Sequence, residues 1–296
     1  MNLSPTRLAL LAALIGLGLC ACSSNVRGSE KTLKFTAIPG ENTAEMIEKF
    51  GKVAEHLSAE LGVPVEYVHV SDYVASVEAF KNGDVLLSWF GGLTGVRARS
   101  AVPGARAIAQ GKVDPEYKSY FIANAKSGLQ ASDSFPQELA GHTFSFGSDS
   151  STSGRLMPEY FIRQNTGKSP AEFFGSEMHC SDGHDQTWQL VQDGSFDAGA
   201  ISYKTYETRV EEGKIDPNVC RVIWTTPTYS DYSWNAHPDL DLHFGAGFTE
   251  RLQEALIAMK DPSLLDAMMR KEGLIRASNE DFAPLEDLAR KLDLLR

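Results

Sequence analysis

The apolar positions of this chain change period as it runs. Residues 33–38 alternate in the two-residue period of a half-buried strand and stop at Pro39-Gly40. From Thr43 onward Met46, Ile47, Phe50, Val53, Ala54 and Leu57 recur at helical spacing, and Gly62 closes the run. Residues 65–70 predict a second strand, 73–81 a helix, and 85–90 a third strand, after which Gly91-Gly92 turns into a helix near Leu93. Strands that alternate with helices in this way predict an α/β architecture, a parallel sheet carrying helices on its faces.

The pattern then leaves and restarts. Residues 117–124 read as a strand leading away from the first unit, and 125–134 form a polar connector. A strand at 143–146 follows, then a helix opening near Gly154, a helix at 187–192, and strands at 196–201 and 221–224. An aromatic connector at 225–234 holds Tyr229, Tyr232 and Trp234, which are read either as core or as cleft residues. The remainder, at 249–259, 263–269 and 285–294, is helical with polar faces. We therefore expect two lobes, residues 33–130 with 232–296 as the first and 131–231 as the second. Two connectors between them imply a ligand cleft that opens and closes. The loops after the strands at Pro39, Phe90 and Ser151 are expected to face it.

The N-terminus gives the compartment. One basic residue, Arg7, precedes an apolar run over residues 8–19 that is too short to span a membrane and has the form of a signal peptide. It ends in Leu19-Cys20-Ala21-Cys22, which resembles a bacterial lipobox. Residues 1–21 are then a leader, Cys22 the lipidated residue and 22–32 a tether, with ordinary cleavage near Ala21 as the alternative. Ser23 and Ser24 after the cysteine are compatible with the outer membrane. The expected location is the periplasm, with the membrane reached only through acyl chains. The net charge of −11 argues against nucleic acid and anionic lipid as partners. In an oxidising compartment Cys180 and Cys220 are expected to pair as a disulfide; two separately buried thiols are the alternative.

One stretch concentrates the chemistry. Between the strand at 143–146 and the helix opening at Gly154 lie Ser148, Ser150, Ser151, Thr152 and Ser153. A helix start presents amides without partners and the positive end of the helix dipole, which together make an anion seat. An N-cap needs a single hydroxyl; a run of them points to a ligand.

With Asp72-Tyr73, Trp89-Phe90-Gly91-Gly92, Ser151-Thr152-Ser153-Gly154, Gly183-His184-Asp185 and Asp231 in this order, the chain resembles the periplasmic substrate-binding proteins of phosphonate, phosphite and phosphate ABC importers. It is most similar to a branch labelled selenate-binding, through Asp197-Ala198-Gly199-Ala200 and Asp231-Tyr232-Ser233-Trp234. The resemblance implies a two-lobe, type II-like periplasmic-binding-protein fold, a small tetrahedral oxyanion as ligand, a permease and ATPase as partners, and neither cofactor nor metal. It assigns the oxyanion head to Ser151, Thr152 and Ser153, with Tyr73 and His184 as further donors and Asp231 as acceptor. It also brings Phe90 and Tyr203 to the ligand, Phe90 as a stacking wall where a tyrosine is common. Family members that take amino-substituted ligands carry a carboxylate near Tyr203-Lys204, where Lys204 would repel an ammonium.

Asp231 bears on the choice of oxyanion. Selenate or sulfate offers only acceptors, whereas hydrogen phosphate, phosphite or a phosphonate retains a proton to donate to a carboxylate. Three other readings stay open on sequence. Ser151, His184 and an aspartate suit an exported hydrolase, although no nucleophile-elbow pattern surrounds the serine. His179, Cys180, His184 and Asp185 suggest a metal site, at a spacing that fits no common zinc pattern. The same fold also serves as a ligand sensor for a membrane kinase.

Overall fold

The computed structural model describes residues 31–39 and 42–295. The leader, Cys22 and the tether up to residue 30 lie outside the described residues. In chain order the first strands are β1 (Leu33–Ala37), β2 (Val65–Tyr67), β3 (Leu87–Phe90), β4 (Arg106–Gly111) and β5 (Ser119–Asn124). The later ones are β6 (Phe144–Phe146), β7 (His179–Cys180), β8 (Ala198–Ser202), β9 (Cys220–Thr225), β10 (Ser233–Ala236) and β11 (Leu274–Arg276). They form two sheets, with strand orders β11-β4-β10-β3-β1-β2 and β7-β6-β8-β5-β9.

Each sheet is mixed. The pairs β1–β2, β1–β3, β6–β7 and β6–β8 are parallel, as the alternation of strands and helices predicts. The strands beside the lobe crossings, β4, β5, β9 and β10, pair antiparallel. Because β5 belongs to the second sheet, the first crossing lies at residues 112–118 and not after residue 130. The return crossing, 226–232, falls where the aromatic connector was read, and Trp234 lies beyond it in β10. The two crossings touch: Tyr117 and Tyr229 exchange backbone hydrogen bonds of 2.8 and 2.9 Å.

The helices follow the apolar periodicity. α1 (Thr43–Leu61) is capped by Asn42, whose side chain accepts from the Ala44 amide, and ends at Gly62 with φ 68°, a left-handed conformation that glycine adopts without strain. Met46, Phe50, Val53, Ala54 and Leu57 are buried, while Ile47 is 51% exposed, so the apolar stripe is narrower than the spacing implied. Phe50 packs on Phe35, Tyr67 and Trp234, which joins α1 to the first sheet. Removing one such ring costs on the order of 3–5 kcal/mol.

α2 (Tyr73–Lys81) and α3 (Gly92–Ala101) complete the first part of that lobe. In the second lobe come α4 (Met157–Thr166), α5 (Pro170–Phe174), α6 (His184–Asp193) and α7 (Tyr203–Glu211). The chain finishes with α8 (Leu240–Phe244), α9 (Phe248–Ala258), α10 (Pro262–Asp266) and α11 (Ala283–Lys291). Leu93 and Val96 of α3 and Leu285 and Ala289 of α11 share one apolar cluster with Phe121, Phe144 and Phe146 of the second sheet. The lobes are therefore closed on one another and share a core at the back of the cleft.

The expected disulfide is not formed: Cys180 and Cys220 are free thiols. They sit on β7 and β9, the two opposite edge strands of one sheet. Four strand spacings of about 4.8 Å separate these edges, far beyond the roughly 7 Å that a disulfide tolerates between Cα atoms.

Candidate oxyanion site

The hydroxyl-rich turn is built by a helix start that is wound too loosely. Residues Thr152–Leu156 form a single π-helical turn ahead of α4, a feature that recurs at functional sites. The first bond within it runs from the Leu156 amide to the Ser151 carbonyl at 3.0 Å, so the amides of Thr152 and Ser153 lie ahead of the helix's own hydrogen bonds. Ser151 is the N-cap, its hydroxyl accepting from the Gly154 amide at 3.0 Å. Gly154 has no room for a side chain: a Cβ would lie 3.0 Å from Gly147 Cα and 3.1 Å from the His184 ring. The glycine thus lets the turn fold down onto β6 and lets the imidazole approach it.

His184 and Tyr73 come to this turn from opposite lobes. His184, the first residue of α6, is 3% exposed. Its Nδ1 accepts from the Ser202 amide at 3.3 Å, which puts the ring proton on Nε2, 3.3 Å from the Ser153 hydroxyl. Burial lowers its pKa to about 4, only partly opposed by the charge of Asp185, so the ring is a neutral donor at physiological pH. Tyr73, at the start of α2, is 2% exposed and its hydroxyl bonds Ser151; burial and the nearby Asp231 charge raise its pKa, and it stays a phenol.

Asp231 lies in the return crossing and is completely buried. Its Oδ1 accepts from the Gly92 and Tyr232 amides at 2.7 and 3.0 Å. Its Oδ2 makes no hydrogen bond among the described residues. Burial lifts its pKa to about 6 against the opposing pull of these amides and of Thr152. A half-satisfied buried carboxylate is costly and marks a place for a donor.

The Thr152 hydroxyl does not face the seat alone. It accepts from the Leu93 amide at 2.9 Å, so it ties the second lobe to the start of α3. The crossings are bonded into the same network. Ser119 donates to the Ser153 carbonyl at 2.7 Å and contacts the Tyr229 hydroxyl at 2.6 Å, while the Tyr117 and Ser202 hydroxyls lie 2.5 Å apart.

Next to the turn is a chamber of about 60 Å³ whose lining includes both Tyr73 and His184, together with Trp89, Tyr117, Tyr232 and Arg270. That is far below the several hundred Å³ of a drug-sized pocket and suits a compact ligand. Of the eight expected residues only Tyr73 and His184 line it. Ser151 and Ser153 bond these two from outside the lining, Thr152 and Asp231 are not in it, and neither are Phe90 and Tyr203. Phe90 is fully buried edge-on to Phe80, because side chains alternate along β3 and Trp89 takes the cleft side. Tyr203 packs its ring 4.8 Å from Tyr117, and Thr205, two residues on, lines the chamber instead. Lys204 pairs with Glu272 at 2.6 Å across the cleft mouth. Of the suspected metal cluster, His179 bonds Ser145 and Cys180 bonds Asp149, and no group of metal-ligating side chains occurs among the described residues.

The match to known proteins is consistent with this geometry. The family model described as the phosphonate periplasmic substrate-binding protein of ABC transporters matches residues 35–282. The chain belongs to that family. It is therefore a substrate-binding protein and not an enzyme. It is 37% identical over 280 residues to the probable ABC transporter phosphite binding protein PhnD1 of Prochlorococcus marinus, covering 93% of this chain and 94% of that one. It is 28% identical to the phosphate-import protein PhnD of Mycolicibacterium smegmatis, covering 74% and 72% of the two chains. The solved structure of Prochlorococcus PhnD1 in complex with methylphosphonate superposes with a TM-score of 0.84, covering 89% of this chain and 99% of that chain. The selenate-binding label finds no support in these relatives.

Sequence reasoning missed several residues that complete the site. The Gly92 and Leu93 amides were read as a plain turn, although Gly-Gly at a strand-to-helix junction is a signal for close backbone approach. Ser119 and Arg270 carry no local signal: each reaches the cleft through tertiary contacts with residues more than thirty positions away.

Proposed function

We propose that this chain captures a compact, singly protonated phosphorus oxyanion, phosphite or methylphosphonate, between its lobes and delivers it to the permease and ATPase of an ABC importer. The observation that carries this reading is the Oδ2 atom of Asp231, buried without a partner beside a cluster of donors. Phosphorus oxyanions release their second proton near a pKa of about 6, matched to the raised pKa of buried Asp231, so one proton is shared between that atom and a phosphorus oxygen when the two are brought together. The two remaining oxygens accept from Ser151, Ser153, Tyr73, His184 Nε2 and the amides at the start of the π turn. The fourth substituent, hydrogen or methyl, then enters the chamber walled by Trp89 and Tyr232. Selenate has no proton to give and would set two negative charges against Asp231.

The lobes open about the paired crossings, 112–118 and 226–232, and closing on the ligand excludes water and strengthens each hydrogen bond. The chain works in the periplasm, held to a membrane by lipid on Cys22, as the Leu19-Cys20-Ala21-Cys22 pattern indicates. Replacing Cys22 with serine should release the protein from the membrane fraction; retention would remove the anchor from this reading. Calorimetric titration with phosphite, methylphosphonate, phosphate, sulfate and selenate tests the ligand. Tight binding confined to phosphorus oxyanions is expected, and preferential binding of selenate would sink the assignment.

A further inference from the structure

Arg270, between α10 and β11, carries a buried charge that the oxyanion turn does not use. It is 2% exposed. Its Nε and Nη2 reach Asp114 at 2.9 and 2.7 Å, and its Nη1 donates to the Met268 carbonyl at 2.7 Å. The guanidinium carbon stands 4.6, 5.1 and 5.4 Å from the ring centres of Tyr232, Tyr117 and Trp89. Three aromatic rings around one cation is the arrangement with which proteins hold a ligand's ammonium group. Here the cation is the protein's own. Its place is fixed by close packing, since a Cβ on Gly111 would stand 2.5 Å from both the Arg270 side chain and Asp114. Arg270 and its three rings line the same chamber as Tyr73 and His184, whereas Asp114 does not, so the ligand meets the positive end of the pair.

We infer that Arg270 is a specificity-determining residue: it fills the aromatic recess of the ligand chamber with a fixed positive charge, so the site accepts a phosphonate bearing hydrogen or a short alkyl group and rejects one bearing an amine. The inference rests on the phosphorus-oxyanion reading above. It moves to Arg270 the role that the resemblance gave to Lys204, whose ammonium is held by Glu272 and which is absent from the chamber lining. A ligand ammonium about 5 Å from the guanidinium, at an effective dielectric constant of about 20, is disfavoured by roughly a hundredfold from the cation alone, and the Asp114 carboxylate behind it offsets part of that. Desolvation of the ammonium adds to that penalty.

The test is a calorimetric series on the wild-type protein with methylphosphonate, ethylphosphonate and aminomethylphosphonate. The last two are nearly isosteric and differ in the charge of the terminal group. Methylphosphonate and ethylphosphonate should bind, with aminomethylphosphonate weaker than ethylphosphonate by at least about tenfold. Equal affinity for the isosteric pair overturns the inference. So does failure of both while methylphosphonate binds, because size alone would then do the selecting. Failure of methylphosphonate as well overturns the oxyanion reading itself, a distinguishable result. A double variant, Asp114→Asn with Arg270→Met, removes both charges of the pair while keeping bulk. In that variant, checked for folding by its thermal transition, the preference for ethylphosphonate over aminomethylphosphonate should shrink by about tenfold or more. An unchanged preference in a folded double variant assigns the selection elsewhere. Should the variant not fold, the isosteric pair on the wild-type protein decides the question.

Discussion

Two helices begin at the cleft, and they use their free amides in opposite ways. At the start of α3 the Gly92 amide is taken by the Asp231 carboxylate and the Leu93 amide by the Thr152 hydroxyl, both groups of the protein itself. At the π turn ahead of α4 the only side-chain cap is Ser151, and the Thr152 and Ser153 amides stand ahead of the first helical bond. Both starts carry the same dipole and the same excess of donors. One is filled from across the cleft and holds the lobes together; the other keeps its donors for the proposed anion. The difference comes from neighbouring side chains. α3 opens with Gly91-Gly92, where a Cβ on Gly92 would run into the Leu285 side chain, so a bare backbone there lets the Asp231 and Thr152 side chains reach its amides. The π turn opens with three hydroxyl side chains. A helix start by itself therefore does not identify a ligand seat; what already occupies its donors does.

The largest effect should come from the open helix start. Replacing Ser151, Thr152 and Ser153 together with alanine removes three hydroxyls from the seat, and phosphite or methylphosphonate affinity should fall by about a thousandfold or more. Loss of the Ser151 cap should also lower apo stability by about 1 kcal/mol. Calorimetry paired with a thermal melt checks both, and retained affinity would move the seat elsewhere.

Asp231 joins the two helix starts, so its variant reads both. Asp231→Asn puts a donor where the ligand's proton points, and phosphite affinity should drop by about a hundredfold at neutral pH. Selenate, whatever its basal affinity, should lose nothing. Equal losses for both ligands would mean that the carboxylate serves only the Gly92 amide.

Stability against pH separates Asp231 from His184. The Asp231 pKa is raised on folding to about 6, so the folded protein holds more protons and stability falls as pH climbs from about 4 to 6. The His184 pKa is lowered to about 4, so the unfolded chain holds more protons and stability rises from about 4 to 6.5. In the apo protein these opposite slopes largely cancel. Asp231→Asn should unmask the rising limb and His184→Gln the falling one, each worth on the order of 3 kcal/mol. Urea unfolding at several pH values would show it, and parallel profiles for the two variants would refute the assignment.

How legible this was from sequence depends on whether the signal was local. The strand and helix periods of residues 33–101 and the hydroxyl run at 148–153 are local, and both lie where they were expected. Tyr73, Ser151, Ser153, His184 and Asp231 do converge. Strand β10 was hidden because Ser233–Ala236 is a central strand whose neighbours β3 and β4 lie far away in the chain, and nothing near it alternates cleanly. Phe90 and Tyr203 were misplaced because a motif gives the order of residues but not which face of a strand or helix each takes. The boundary at residue 130 failed for a related reason: β5 reads as a strand from any side, and only its partners β8 and β9 reveal its sheet.

The filled helix start can be loosened through the one π-turn hydroxyl that faces α3. Thr152→Val keeps the shape but removes the acceptor of the Leu93 amide, leaving a buried amide unpaired at a cost of about 1–3 kcal/mol. Because the bond exists only when the lobes meet, the cost falls on the closed form. Affinity should drop by about tenfold, and by the same factor for every ligand tested. A loss that differs between phosphite and methylphosphonate would place the Thr152 hydroxyl on the ligand instead.

The weakest closure contacts lie at the cleft mouth. Lys204 meets Glu272 at 2.6 Å, Glu211 meets Lys271 at 2.8 Å and Lys214 approaches Glu45 at 3.8 Å, each pairing α7 or the loop after it with the first lobe. These pairs are formed between lobes and so favour the closed form; Lys271 and Glu211 are both well exposed, whereas the Lys204 side chain is largely covered. Exposed ion pairs contribute about 0.2–1 kcal/mol and are screened by salt. Lys271→Ala should weaken ligand binding by about twofold at low ionic strength, and the difference from wild type should vanish in about 0.5 M salt. The contacts at the α3 start are buried and should not respond to salt in this way, so Thr152→Val should keep its tenfold loss under the same conditions. A Thr152→Val deficit that faded with salt would show that closure depends on long-range charge and not on the pairing of amides at the filled helix start.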